Sequence, residues 1–408
     1  MDASTLRAYL DNAATTPVLP EVARAMVTAM GATPDAAAAG AWANPSSAHR
    51  WGMAAAASVT TARTVVAKAL AAQPEEVVFT SGGTEANELA ILGRCRARRA
   101  RGCHLVTTAI EHRSILDACV VLEREGWAVT RLAVEADGCL KTASVLAALR
   151  PDTVLCAFAH VNNEVGAVQP VADIAAALRV AAPEVTLHID GVQAVGKIPT
   201  PYARWGVGTA SLSAHKVGGP KGVGALWVRR GVRLVPPVPG GSQEGGLRPG
   251  TENVPGIVGL GTALELAPRW APGLRPLKLE LWHGLAQALP GLEANGPAPE
   301  SGEAAPHILN LSFARVVGVP AEVLLHALEA EGIASSAGSA CSARRPEPSH
   351  VLVALGLDPQ RVRSSLRLSL GPTTGPSEIA AALAGVPKAV ARLMRGPVRH
   401  GAGVGGGR

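Results

Sequence analysis

Between about residue 54 and residue 228 the chain repeatedly changes its hydrophobic period. It passes from the three-to-four spacing of amphipathic helices to short continuous apolar, β-branched runs and back. Continuous runs suit strands buried on both faces, so the alternation predicts an α/β sheet with helices on either side. The candidate strands are Val77–Thr80, Leu105–Thr108, Val129–Val134, Thr153–Ala157, Thr186–Ile189, Thr209–Ser213 and Gly224–Val228, seven in all. Helical spacing falls at 54–71, 85–99, 114–125, 142–149 and 170–181.

The Gly/Pro-rich segment 236–250 ends this pattern and reads as a working loop at a domain edge. After it, one long helical stretch is expected at about 255–290. Strands near 307–313 and 365–370 and helices at 320–331 and 376–394 then make an α+β unit. The expected organisation is a large domain over 15–256 and a smaller one built from 1–14 with 257–394. The Gly/Arg/Val-rich residues 395–408 are expected to form a disordered tail.

Composition excludes several functions. Of 408 residues 48% are hydrophobic and 17% charged, yet no apolar run is long enough to cross a bilayer, so no membrane association is expected. The N-terminus lacks the basic start and apolar core of a secretory signal, and the expected location is cytoplasmic. Six cysteines show neither metal-ligand spacing nor a disulfide framework, so no metal is expected. A net charge of +6 with only two Tyr and three Phe, and no basic stripe interleaved with aromatics, argues against nucleic acid. The arginines at 94, 96, 98, 99 and 101 read as a solvated helix face or as a dock for an acidic partner.

Three motifs carry chemistry. In Phe79-Thr80-Ser81-Gly82-Gly83-Thr84-Glu85 a strand passes through glycines into a helix beginning at or near Thr84. The free N–H groups there, with the Thr84 hydroxyl, suit a phosphate, although packing alone also produces such turns. In Leu187-His188-Ile189-Asp190-Gly191-Val192-Gln193 a carboxylate ends a buried strand, either as a ligand-facing acid or as a turn former. In Ser211-Leu212-Ser213-Ala214-His215-Lys216-Val217-Gly218-Gly219 a lysine sits between a strand and a glycine turn, where its charge is costly unless solvated or used. Together they meet the needs of pyridoxal 5′-phosphate. Gly83 and Thr84 supply the phosphate cradle, with Ser213 and His215 adding contacts. Asp190 faces the pyridine nitrogen, and Lys216 is the amine for the aldehyde.

Further motifs follow in order: Tyr9-Leu10-Asp11-Asn12-Ala13-Ala14-Thr15-Thr16-Pro17, Asn44-Pro45-Ser46-Ser47, Glu111-His112 and His160-Val161-Asn162-Asn163-Glu164. Later come Arg248-Pro249-Gly250-Thr251-Glu252-Asn253, Ser336-Ala337-Gly338-Ser339-Ala340-Cys341 and Ser365-Leu366-Arg367-Leu368-Ser369. On these residues the chain, from Tyr9 to about 390, resembles the NifS/IscS-like cysteine desulfurases of the class V aminotransferase family. The resemblance implies the pyridoxal-phosphate-dependent transferase fold type I, with a mainly parallel seven-stranded sheet. It implies that His112 stacks on the cofactor ring and moves protons, and that Asn163 and Gln193 reach the ring hydroxyl, Asn163 also facing the substrate. It further implies that Thr251 contacts the phosphate of the other subunit in a homodimer and that Arg367 clamps the substrate carboxylate.

Catalysis is expected from Lys216, His112 and Cys341. Lys216 takes the Cα proton of L-cysteine. Cys341, in a run of small residues followed by Arg344 and Arg345, takes the sulfur as a persulfide and L-alanine leaves. The sulfur would pass to an acceptor protein, an iron–sulfur scaffold or a thiolation enzyme. Departures from the family pattern are Gly191 for Ala, which would loosen packing on the ring, Ala43 for Gly, and Arg344-Arg345 for small polar residues. The alternatives are a selenocysteine lyase and an aminotransferase in which Cys341 is idle.

Overall fold

Seven strands form one sheet in the order Val77–Thr80, Gly224–Val228, Thr209–Ser213, Thr186–Asp190, Thr153–Ala159, His104–Thr108, Ala128–Leu132. The computed structural model describes residues 6–337 and 348–395. Gly224–Val228 runs antiparallel to both neighbours, and the other six strands are parallel. Each of the seven expected strands is present, three with the expected ends and four with ends shifted by one or two residues. The inner strands are buried along their length, whereas the edge strand Ala128–Leu132 is only partly buried.

Alternate side chains point to opposite faces. Val77, Phe79, Leu187, Ile189, Leu212 and Trp227 pack in one core with the helices Arg50–Ala69, Val171–Ala181 and Val254–Trp270. Val78, Leu105, Leu226 and Ala157 face the other way, toward the helices Gly83–Arg98 and Arg113–Arg124. This arrangement brings the carboxyl ends of the parallel strands to one edge, where Thr80, Thr108, Ala159, Asp190 and Ser213 end.

A second core surrounds the antiparallel strands Glu293–Asn295, Ile308–Ser312 and Ser365–Ser369 with the helices Leu274–Ala288, Ala321–Glu329 and Pro376–Met394. The N-terminal strand Ala8–Tyr9 pairs with Ile333–Ala334 and places Ala8 and Leu10 in this core. The helix Val254–Trp270 spans the expected domain boundary at 256–257, and its Ile257, Leu260 and Ala263 lie in the first core. The long helix expected over 255–290 is instead two helices separated by the 3-10 turn Ala271–Gly273. Pro272 lacks the N–H a continuous helix would need there. The helix Pro20–Ala29, not anticipated, starts on a proline with preset φ. Among the described residues no helix is long and apolar enough to cross a membrane.

The 236–250 segment is pinned to the sheet. Glu244, in the left-handed region at φ 49°, accepts from Arg63 Nη2 at 2.7 Å, Arg63 Nη1 at 2.8 Å and the Phe79 amide at 2.8 Å. Arg63 also stacks on the Phe79 ring at 4.7 Å. Removing one partner strands the other's charge in a largely dry site. Glu244→Ala is therefore expected to destabilise the fold by about 3 kcal/mol, measured as a lower midpoint in urea.

Candidate active site

The turn after Thr80 brings two segments unusually close. A Cβ on Gly83 would lie 2.6 Å from Val192 Cγ2, so only glycine lets the helix Gly83–Arg98 begin against the Asp190–Gln193 turn. The helix N-terminus faces Ser213, whose Oγ is buried without a hydrogen-bond partner among the described residues. Free amides and an unsatisfied hydroxyl make a seat for a phosphate-sized anion. His215 Nδ1 lies 3.2 Å from Thr15 Oγ1, and burial pushes its pKa down to about 4, so it sits there as a neutral ring.

Asp190 is held by groups the motifs did not reveal. Its Oδ1 accepts from the Val192 amide at 2.9 Å and its Oδ2 from Asn87 Nδ2 at 2.8 Å. His188 Nε2 lies 3.0 Å from Asn87 Oδ1 and His188 Nδ1 lies 2.9 Å from Thr209 Oγ1. Burial drives the His188 pKa down to about 4, so the ring is neutral. Because Asn87 Oδ1 can only accept, His188 carries its proton on Nε2, and this fixes the amide with Nδ2 toward Asp190. Asn87 Nδ2 also donates to Ser114 Oγ at 2.8 Å, and Ser114 Oγ lies 2.9 Å from His112 Nδ1. The Ser114 amide donates to the same nitrogen at 3.1 Å, which leaves Nε2 to carry the His112 proton. Burial, with Lys216 and His350 nearby, holds the His112 pKa below its ordinary value against the pull of Asp190. An asparagine in the second turn of a helix that opens on Gly-Thr was the sequence signal for this relay.

Lys216 Nζ donates to the carbonyls of Ala13 at 2.7 Å and Ala14 at 2.6 Å, and Gln193 Nε2 donates to Ala13 O at 2.9 Å. Arg367, 1% exposed, donates through Nη1 to Asn163 O at 2.9 Å and through Nη2 to Asp11 Oδ1 at 2.8 Å, while its Nε has no partner among the described residues. Asp11, unassigned in the sequence reading, thus occupies one arm of the fork. A Cβ on Gly191 would lie 2.8 Å from Ser211 O and 3.1 Å from Tyr202 Oη. Glycine here answers to tight packing below the turn rather than to loose packing above it.

One cavity of about 310 Å³ collects Gly83, Thr84, His112, Asn163 and Asp190 with Gln193, Ser213, His215, Lys216 and Arg367. Thr251 does not line it and is exposed. Cys341 lies outside the described residues. An open cleft of about 1430 Å³, lined by Lys197, Trp205 and Leu264 among others, holds none of the expected site residues.

Glu111 lies under this wall. Its carboxyl accepts from Thr108 Oγ1 at 2.6 Å and from the Ala159 amide at 2.7 Å, and burial pushes its pKa up to about 8, with Asp190 adding to the rise. A carboxyl whose folded pKa exceeds its unfolded one stabilises the fold most at low pH, and that contribution is lost as pH rises toward 8. Glu111→Gln removes this dependence. The difference in unfolding free energy between variant and wild type should therefore move in the variant's favour by a few kcal/mol between pH 5 and pH 8. Urea titrations across that range check it.

The family described as Aminotransferase class-V matches residues 8–381. A cysteine desulfurase IscS of Anaeromyxobacter dehalogenans is 45% identical over 369 residues, 89% of this chain and 87% of that protein. One of Proteus mirabilis is 42% identical over 94% of this chain and 93% of its own length. The solved structure of a NifS-like protein superposes with a TM-score of 0.85 at 32% identity, covering 95% of this chain and 100% of that one. That of SspA in complex with cysteine gives 0.78 at 35% identity, with 90% and 100% covered.

Proposed function

Since the chain belongs to the class V aminotransferase family, we propose that its cavity is where this cysteine desulfurase takes sulfur from L-cysteine, passing it to Cys341 and releasing L-alanine. The observation that carries the reading is the convergence of Asp190, Lys216, Arg367 and an anion seat on one small cavity. The residues fit pyridoxal 5′-phosphate. The buried, unpartnered Ser213 Oγ and the helix start at Gly83 suit its phosphate, Asp190 suits the pyridine nitrogen, and Lys216 supplies the amine for its aldehyde. When bound, the cofactor acts as an electron sink that acidifies Cα and weakens the Cβ–sulfur bond.

Arg367 orients the substrate carboxylate through its planar fork. Lys216 Nζ would take the Cα proton of the substrate. His112 holds a proton on Nε2 at the cavity wall. The Cys341 thiolate attacks the substrate sulfur; an S–S bond forms, the C–S pair stays with carbon, and protonation of that carbon gives alanine. Cys341 fits this role by elimination as well. The other five cysteines do not line the cavity, and burial pushes Cys119, Cys139 and Cys156 up to about 12. The working unit is a homodimer in which Thr251 reaches the partner's phosphate site, and the persulfide passes to an acceptor for iron–sulfur assembly or thiolation.

The purified holoenzyme given L-cysteine and a thiol reductant should form alanine and sulfide in equal amounts. A requirement for an α-keto acid, with the amino group passing to it, overturns the reading in favour of an aminotransferase.

A further inference from the structure

L-cysteine offers three handles, and the preceding reading assigns two of them, the carboxylate to Arg367 and the amine to Lys216. The thiol has no assigned receptor. On the same cavity wall stands His350, the first residue of the short helix His350–Ala354. Its place is fixed from two sides. Ser349 Oγ donates to Glu164 Oε2 at 2.5 Å and accepts from the Leu352 amide at 3.1 Å, so the residue before it is locked. His350 Nε2 lies 3.0 Å from the main-chain carbonyl of Glu111, which can only accept. Nε2 therefore carries a proton, and Nδ1, which in the imidazole form is a lone-pair acceptor, has no hydrogen-bond partner among the described residues.

The other two imidazoles of the cavity differ. His112 Nδ1 is taken by Ser114, and His215 Nδ1 lies beside Thr15 Oγ1. His350 is thus the imidazole of this wall that presents an acceptor still in need of a donor, and a thiol S–H is such a donor.

We propose that His350 is the specificity-determining residue for the substrate side chain: the S–H of L-cysteine donates to His350 Nδ1, which holds the sulfur at the His112 side of the cavity. The proposal rests on the desulfurase reading. It makes the enzyme distinguish L-cysteine from amino acids without a γ donor, such as its own product.

The test uses the holoenzyme with His350→Phe and His350→Gln. The glutamine amide can still donate to Glu111 O and offers a weaker acceptor. Two quantities are read, kcat/KM for L-cysteine from alanine release and the affinity for L-alanine from the change in cofactor absorbance. H350F is expected to lower kcat/KM for L-cysteine about tenfold or more while alanine affinity stays within about twofold, with H350Q between the two enzymes. Parallel loss of both quantities would make His350 a structural prop, and no change in either would make it a bystander; each overturns the proposal. If H350F does not retain cofactor, H350Q decides by the same split. Should the wild type itself yield no alanine from L-cysteine, the desulfurase reading fails and this proposal goes with it.

Discussion

Lys216→Ala is expected to reduce alanine formation from L-cysteine by about 10⁴-fold or more and to remove the amine-linked absorbance of the cofactor. The side chain has two tasks in one atom. Nζ stands at the cavity floor, held by the Ala13 and Ala14 carbonyls at 2.7 and 2.6 Å. On the proposed reading the same nitrogen is both the amine for the cofactor aldehyde and the base for the Cα proton, and a positioned base contributes about 10²–10⁴-fold on its own. Asp190, with its Asn87 and Val192 donors, and the Ser213 seat are untouched by the substitution, so the cofactor should still bind, more weakly and without the covalent link. Absorbance spectra and alanine release measure the two effects separately. Partial rescue by a small primary amine would identify the missing amine as the cause. Activity within about tenfold of wild type would remove Lys216 from the mechanism.

Cys341→Ala is expected to separate cofactor chemistry from sulfur chemistry. The variant should keep the wild-type absorbance and its response to L-alanine, because Asp190, Lys216 and Arg367 remain in place. It should lose sulfide and alanine production by at least about 10³-fold, roughly 4 kcal/mol of barrier. None of the five described cysteines lines the cavity. Cys95, Cys119 and Cys156 are in the core, where burial disfavours their thiolates. An aminotransferase would survive this substitution intact, so parallel assays of the variant with and without an α-keto acid divide the two readings.

The parts of the fold that could be read in advance are those where burial writes directly into the sequence. Strands buried on both faces favour apolar and small residues, and Val77–Thr80, Thr209–Ser213 and Gly224–Val228 have the expected limits. The break at Ala271–Gly273 was hidden because the apolar period runs across it, and of Pro268, Pro272 and Pro276 only the Pro272-Gly273 pair falls at the interruption. Ala8–Tyr9 is two residues long and is a strand only because Ile333–Ala334 pairs with it. In the site, Asp190 and Lys216 stood at strand ends and glycine turns, and the structure brings them into one cavity. The groups that hold them were not legible in the sequence. Asn87 meets Asp190 across 103 positions and Asp11 meets Arg367 across 356, and no local pattern encodes such partners. His350 reaches the Glu111 carbonyl across 239 positions for the same reason.

The account stands most directly on where the sulfur goes. Holoenzyme mixed with a limiting amount of L-cysteine in the absence of reductant, alkylated at once and digested, would be analysed by mass spectrometry for the peptide containing Cys341. One extra sulfur is expected on Cys341 in proportion to the alanine formed, removed by reductant and missing from Cys341→Ala. Alanine accumulating while Cys341 carries no added sulfur would contradict it.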